Sequence, residues 1–505
     1  MLRALRETPL ILQIAAVGAA AMLVPALHAV STSEYRLARI FLYSGLLFLF
    51  LTLLAGLASA ANPRGNSGRV QLLTMLATFL LVPAMLAVPF NEAVADTGFT
   101  SSWWEMVSAM TTTGATLYDP ERLAPSLHLW RALVGWMGGL FMLVMAIAVL
   151  APLRLGGFEI FATGGATAGE APTFFEEDTA EPEERIRYYL LRILPPYAGL
   201  TAALWLGLVL LGERSLVALC HAMSTLSTSG ITPLRSLEGS ASGIPGEMLI
   251  FLLLIPALSR RLWPGGGELR ASSSLRNDPE LWLAGVLVAV LTLGLFLRHW
   301  IAAFDIDMPL SPLAILRSLW GSAFTALSFL TTTGFASASW DEARAWSGLG
   351  TPGLVLAGLA IVGGGVATTA GGVRLLRVYA LVRHGEREMI RLVHPAAVLG
   401  GGATARWLRR QGAYRAWIFF MLFAITVALV MAAAALTGLG FEPAMIMSIA
   451  ALSNTGPLAA IAGDTALHWA ELNGPAQFVF ALAMVLGRLE TLAIIALFNP
   501  ELWRA

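Results

Sequence analysis

Thr111-Thr112-Thr113-Gly114 decides how the rest of this chain is read. A short amphipathic segment, residues 102–110, precedes it, and a polar turn, Tyr118-Asp119-Pro120, follows. The stretch is too polar for a membrane span, yet long apolar runs flank it. Variants recur as Ser227-Thr228-Ser229-Gly230, Thr331-Thr332-Thr333-Gly334 and Ser453-Asn454-Thr455-Gly456. Their glycines stand roughly 100–120 residues apart, the spacing of an internal repeat. One such tetrapeptide reads as a helix C-cap. Four at corresponding positions, each behind a short half-helix, call for a shared purpose.

Composition sets the environment. The chain has 505 residues, 57% hydrophobic and 13% charged, against about 25% charged in soluble domains. Mean hydropathy is +0.72 and many apolar runs approach 20 residues, which together indicate a polytopic all-α membrane protein. A single cysteine, Cys220, excludes a disulfide framework and a Cys-rich metal site. Zero net charge gives no sign of a nucleic-acid partner. All 32 basic residues are arginine.

Ten apolar segments are expected near 10–30, 37–61, 69–90, 127–150, 187–212, 244–263, 278–303, 350–384, 411–438 and 475–499. The first is read as a span rather than a cleaved leader. Tetrapeptides fall between the third and fourth, fifth and sixth, seventh and eighth, and ninth and tenth. Each unit is therefore span, half-helix, hydroxyl-rich turn ending in Gly, span, with two spans left over at the N-terminus. The units divide the chain at 1–66, 67–160, 161–270, 271–395 and 396–505. The half-helices are expected at 102–110, 215–226, 312–330 and 442–452, with Glu105, Glu213 and Glu442 in or near first turns and Pro309 and Pro312 starting the third.

Arginine sets orientation. Arg374, Arg377, Arg383, Arg387, Arg391, Arg406, Arg409, Arg410 and Arg415 crowd one linker, and Arg260, Arg261, Arg270 and Arg276 another. The tetrapeptide loops carry Asp96, Asp119, Glu121, Glu238, Asp341, Glu342, Asp464 and Glu471 instead. The positive-inside rule puts the linkers in the cytoplasm, with both termini (Arg3, Arg6, Arg504) beside them. The linker holding Glu170, Glu176, Glu177, Asp178, Glu181, Glu183 and Glu184 is acidic, which weighs little in orientation.

A half-helix entering from outside directs its carbonyl end inward, where the macrodipole favours cations. The residues after it can extend with carbonyls toward a shared axis, and a ring of carbonyls replaces the hydration shell of an alkali cation. Glycine supplies positive φ and leaves the path unblocked. Hydroxyls of Thr112, Thr228, Thr332 and Thr455 can add ligands or hold the strands.

The first, third and fourth tetrapeptides, with Ala115, Phe335 and Pro457 after them, Arg391-Leu392-Val393-His394-Pro395 and Gly487-Arg488-Leu489-Glu490, resemble the Trk/Ktr/HKT potassium-uptake superfamily, TrkH type, over nearly the whole chain. The second, Thr228-Ser229-Gly230-Ile231, and Pro457 after the fourth glycine depart from the family's common form. The resemblance implies four pseudo-fourfold membrane–pore-loop–membrane repeats plus two N-terminal transmembrane helices, in a bacterial inner membrane. It implies a homodimer and a cytoplasmic, TrkA-like nucleotide-binding ring that gates the pore. It implies a K+ filter made of Thr112, Thr113, Gly114, Thr228, Ser229, Gly230, Thr332, Thr333, Gly334, Asn454, Thr455 and Gly456. Glycine in all four positions goes with potassium preference in that family, and serine in the first with sodium permeation. K+ is then the transported ion, and no organic cofactor is expected.

Gly363-Gly364-Gly365-Val366-Ala367-Thr368-Thr369-Ala370-Gly371-Gly372 interrupts the eighth span. Each Gly costs about 1 kcal/mol relative to Ala inside a helix, so five argue for a break. A Gly-rich helix made for close packing is an equal reading of the residues alone. The resemblance favours an intramembrane gate formed by Gly363, Gly364, Gly365, Thr368, Thr369, Gly371 and Gly372. It puts Arg488, costly at membrane depth, on the pore side beneath the filter, able to pair with that loop. The sixth span departs from the family with Pro256. A secondary transporter built on broken helices is the rival, but it predicts two related halves rather than four units. No His-Glu-x-x-His, paired intramembrane aspartates or Gly-x-Ser-x-Gly supports an enzyme.

Overall fold

The computed structural model describes residues 9–59, 68–153, 155–158, 182–263, 275, 278–302, 312–349, 353–394, 410–463 and 465–489. Arg3, Arg6, Arg270, Arg276, Arg406, Arg409, Arg504, Pro309, Pro395, Asp464, Glu490, Glu170, Glu176, Glu177, Asp178 and Glu181 lie outside them, as does the end of the tenth span.

Among the described residues the chain is helical, without strands. The leading helices are α1 (Leu10–Ala21), α2 (Leu23–Ser31) and α3 (Tyr35–Ser59). The first unit holds α4 (Gly68–Val94), α5 (Phe99–Met110) and α6 (Pro125–Met145). The second holds α7 (Pro182–Leu210), α8 (Ser215–Ser227) and α9 (Gly243–Leu254). The third holds α10 (Pro279–Ala302), α11 (Pro312–Leu330), α12 (Trp340–Ser347), α13 (Gly353–Val362) and α14 (Leu375–Val393). The fourth holds α15 (Arg410–Leu436), α16 (Phe441–Leu452), α17 (Leu458–Ala462) and α18 (Gly474–Leu489).

Eight described helices are long and apolar enough to cross a membrane, against ten expected spans. The difference has local causes. Pro256 ends α9, and a 3-10 turn, Ile255–Leu258, replaces its last turn. Gly363 ends α13 after ten residues. The described part of the tenth span is also short, at sixteen residues. Conversely, Pro312–Leu330 passes on length and composition, yet it is the third half-helix.

Burial separates centre from rim. The apolar window of the 125–150 span is 83% buried and that of Tyr35–Ser59 only 17%. Leu46, Leu47, Phe50 and Leu54 of α3 are exposed, as lipid-facing side chains of a peripheral helix would be. Around the centre, α5, α8, α11 and α16 bury their C-terminal halves almost completely. They match the expected half-helices closely, the first starting three residues sooner at Phe99 behind the extended Gly98. That shift corrects one reading. Glu105 is not a first-turn residue but stands mid-helix, buried, because it has a charged partner in α6.

Candidate ion pathway and gate

All four half-helices close with the same hydrogen-bond pattern. In the first, Thr113 N–H donates to Ser108 C=O (2.9 Å) and Thr112 N–H to Ala109 C=O (2.9 Å). Ser229 to Ser224 (3.0 Å), Thr333 to Ser328 (2.9 Å) and Thr455 to Ala450 (2.8 Å) repeat the longer bond. This paired closure is the Schellman motif, whose C′ residue is left-handed and usually Gly. Here C′ is Thr112 (φ 56°), Thr228 (φ 52°), Thr332 (φ 57°) and Asn454 (φ 55°). A β-branched residue in that region is strained, by about 1–2 kcal/mol. Strain held at three equivalent threonines points to a site that needs a side chain there.

The hydroxyls show what holds each turn. At the first position, Thr111, Ser227, Thr331 and Ser453 donate to the carbonyl four residues back, at 2.7 to 3.0 Å. Each also meets the hydroxyl two residues on, in Thr113, Ser229, Thr333 and Thr455, at 2.8 to 3.2 Å. Those two positions therefore brace the turn. The second position differs between units. Thr228 Oγ1 donates to Ser227 C=O, Thr332 Oγ1 accepts from Gly371 N–H, and Asn454 Nδ2 donates to Thr113 Oγ1 and Met484 C=O. Thr112 Oγ1 is buried without a hydrogen-bond partner. Of the four hydroxyls expected to act as ligands or supports, Thr228, Thr332 and Thr455 are thus engaged in support.

The glycines close a ring. A Cβ on Gly114 would collide with the Ser229 carbonyl oxygen, and one on Gly230 with that of Thr333. On Gly334 it would press on the Pro457 ring at 3.0–3.1 Å, and on Gly456 it would meet Ala115 N and, at 2.7 Å, the Thr113 oxygen. The order runs from the first unit to the second, third, fourth and back to the first. Gly114, Gly230 and Gly334 have positive φ (72°, 67° and 85°), as expected. Gly456 does not, and its segment departs from the extended form. Pro457 (φ −61°, ψ −15°) starts α17 at once, and Gly456 C=O accepts from Trp469 Nε1 (3.1 Å). Gly456 N–H donates to Thr113 C=O (2.6 Å), so the fourth-to-first joint is bonded through backbone.

Buried polar groups six residues before three of the four tetrapeptides tie down the segment beyond each of them. Glu105 pairs with Arg131 Nε of α6 at 2.6 Å and accepts Leu117 N–H at 3.0 Å. His221 Nε2 lies 2.8 Å from Thr232 Oγ1. Thr325 Oγ1 accepts Ser337 N–H at 3.2 Å. Met447 fills the fourth place, where Trp469 serves instead. The third strand is also held from the neighbouring unit. Glu247 of α9 accepts Trp320 Nε1, Ser337 Oγ and Ala338 N–H at 2.6–2.7 Å. Outside the spans, Glu213 accepts Ser240 Oγ, Ser242 N–H and Arg214 N–H. Burial pushes its carboxyl up, but these hydrogen bonds outweigh burial and hold it below the usual range.

The glycine-rich stretch is a break, and its ends meet. Val373 N–H donates to Ile361 C=O, Arg374 N–H to Val362 C=O and Leu375 N–H to Gly364 C=O, at 2.8–2.9 Å. Gly363 and Gly372 have positive φ and lie so close that neither tolerates a side chain. The loop between them contains Gly364, Gly365, Thr368, Thr369 and Gly371, all buried. It touches two turns of the ring. Gly371 N–H donates to Thr332 Oγ1 at 2.7 Å, and a Cβ on Gly371 would strike Ser453 C=O. The interrupted sixth span receives its other side, Gly365 N–H donating to Ala257 C=O at 3.0 Å. Arg488 is buried in α18, within electrostatic reach of Tyr197. Its neighbour Gly487 lies against Leu452 C=O, at the end of the fourth half-helix.

The chain is similar to known cation transport proteins. A family model, TrkH, described as a cation transport protein, matches residues 279–504. The Trk system potassium uptake protein TrkH of Halomonas elongata is 28% identical over 438 residues, covering 85% of this chain and 84% of that protein. Over most of its length the chain is similar to TrkH proteins. TrkH of Salmonella typhimurium is 29% identical over 437 residues, again covering 85% and 84%. The crystal structure of the potassium transporter TrkH from Vibrio parahaemolyticus has the same fold over all of both chains, with a TM-score of 0.76 at 24% identity.

Proposed function

We propose that the chain is the membrane subunit of a bacterial potassium-uptake system. Dehydrated K+ passes down its electrochemical gradient through the axis enclosed by the four tetrapeptides. The observation that carries this reading is the closed ring of glycines, each facing the backbone or proline of the next unit. The relatives, named as potassium uptake proteins, support K+ as cargo, and they are transport proteins rather than enzymes. Four equivalent turns weigh against a two-halved secondary transporter. The unit boundaries are 1–66, 67–160, 161–270, 271–395 and 396–505, and the ring opens to the outside, with both termini cytoplasmic. The working assembly is a homodimer in the lipid bilayer with a TrkA-like nucleotide-binding ring below it.

Gly363–Gly372 is the gate in this reading, because it contacts the third and fourth turns from one side. Arg488 restrains it and places a positive charge near a resting cation. Purified chain in liposomes should take up radioactive rubidium, with K+ competing far better than Na+. Absent uptake, or equal competition, would contradict the reading. Arg488→Ala should raise basal uptake about tenfold, equivalent to roughly 1.4 kcal/mol off the barrier. Unchanged or lower uptake in folded protein would remove Arg488 from the gate.

A further inference from the structure

One peptide unit of the loop, Gly365–Val366, is gripped at both poles. Its C=O accepts from Arg374 Nη1 at 3.2 Å and from Thr368 Oγ1 at 2.7 Å. Its N–H donates to Glu280 Oε1 at 2.8 Å. Arg374 also donates to Ala370 C=O. Both side chains are buried, Glu280 in the first turn of α10 and Arg374 just before α14 at φ 88°. A hydrogen bond from a guanidinium is about twice as strong as a neutral one. A buried polar group stripped of its partner is costly, so each side chain resists withdrawal of this peptide.

Glu280 is itself anchored. Its N–H donates to Asp278 Oδ1 at 3.0 Å, and Asp278 Oδ2 accepts Ser259 Oγ at 2.7 Å with Arg261 Nε 3.6 Å away. Ser259 ends the 3-10 turn that replaced the last turn of the sixth span. That same turn supplies Ala257 C=O to Gly365 N–H. The departure at Pro256 thus builds one wall of a cradle, and Gly157, where a Cβ would collide with Val366, builds another.

We infer that Glu280 and Arg374 are positioning residues that latch the loop through the Gly365–Val366 peptide, and that Asp278 and Ser259 brace this latch against the end of the sixth span. The inference rests on reading the loop as the gate. With the peptide withdrawn, Val366 N–H and the buried Glu280 carboxyl each lose a hydrogen-bond partner, and this cost holds the loop in place.

The test is basal rubidium uptake by the full chain in liposomes, together with hydrogen–deuterium exchange of the loop. Glu280→Leu removes the acceptor of Val366 N–H. It should raise uptake about tenfold, keep K+ preference over Na+, and speed exchange across residues 363–375. Glu280→Asp keeps a carboxyl but withdraws it from Val366, and should give a smaller rise; it also serves if the Leu variant fails to fold. If Arg488→Ala raises uptake while both Glu280 variants leave uptake and exchange unchanged, the latch is wrong and the gate stands. If neither Arg488→Ala nor the Glu280 variants raise uptake, the gate reading falls and the latch with it. Lower uptake in a folded Glu280→Leu protein also overturns the latch, since it would make Glu280 a support of the open pathway.

Discussion

Gly114→Ala should reduce rubidium uptake to the level of protein-free liposomes. The reason is local and backbone-bound. A Cβ at residue 114 would overlap the carbonyl oxygen of Ser229, and no side-chain rotation relieves a clash with backbone. The residue also has φ 72°, where an L side chain costs about 1–2 kcal/mol before any clash. Relief requires the first and second turns to separate. Thr113 and Ser229 are braced by hydroxyl bonds to Thr111 and Ser227, so separation displaces both turns as units. The carbonyl geometry that would replace a hydration shell is then lost on two sides of the axis. Uptake within about twofold of the parent, in protein that remains folded, would contradict this; a twofold change is only about 0.4 kcal/mol of barrier.

Arg131→Met should be among the most destabilising single changes in the chain. Arg131 and Glu105 are 3% and 1% exposed, so removing the arginine leaves a carboxylate buried with no counter-charge. Breaking such a pair costs about 3–5 kcal/mol. Replacing both members by apolar residues is often close to neutral, so Arg131→Met with Glu105→Leu should recover most of the loss. It should not recover all, because Leu117 N–H loses its acceptor, at about 1–3 kcal/mol for a buried donor. Thermal unfolding in detergent reads this directly. A single variant as stable as the parent, or a double variant less stable than the single, would contradict the role given to the pair.

The half-helices were legible in the sequence because their stop signal is local. Hydroxyl residues followed by Gly mark a C-terminus wherever they stand, and four copies fixed the repeat. The break at Gly363–Gly372 was legible for the same reason, although its alternative as a packing helix was settled only by the bonds from Val373, Arg374 and Leu375 back to Ile361, Val362 and Gly364. Two other features depend on partners far along the chain. Glu105 looked like first-turn chemistry, since Arg131 is 26 residues away and only folding makes it a neighbour. Glu247 holds a strand some 90 residues on, in the next unit, and nothing near it announces that. The fourth turn shares its motif with the others, but Pro457 sends it straight into α17. Glu105, His221 and Thr325 all stand six residues before their tetrapeptides, a polar register in otherwise apolar helices.

The claim most open to test is that the four tetrapeptides form one selective ring. Gly334→Ser addresses it, because φ 85° and the Pro457 ring at 3.0–3.1 Å leave no relaxed place for a side chain, while the neighbour is a side chain that can yield somewhat. The ring should deform rather than collapse. Rubidium uptake into liposomes, measured with K+ or Na+ as competitor, should show K+ preference falling about tenfold or more, the effect of roughly 1.4 kcal/mol lost between the two ions. Unchanged uptake with unchanged K+ preference in folded Gly334→Ser protein would contradict the ring.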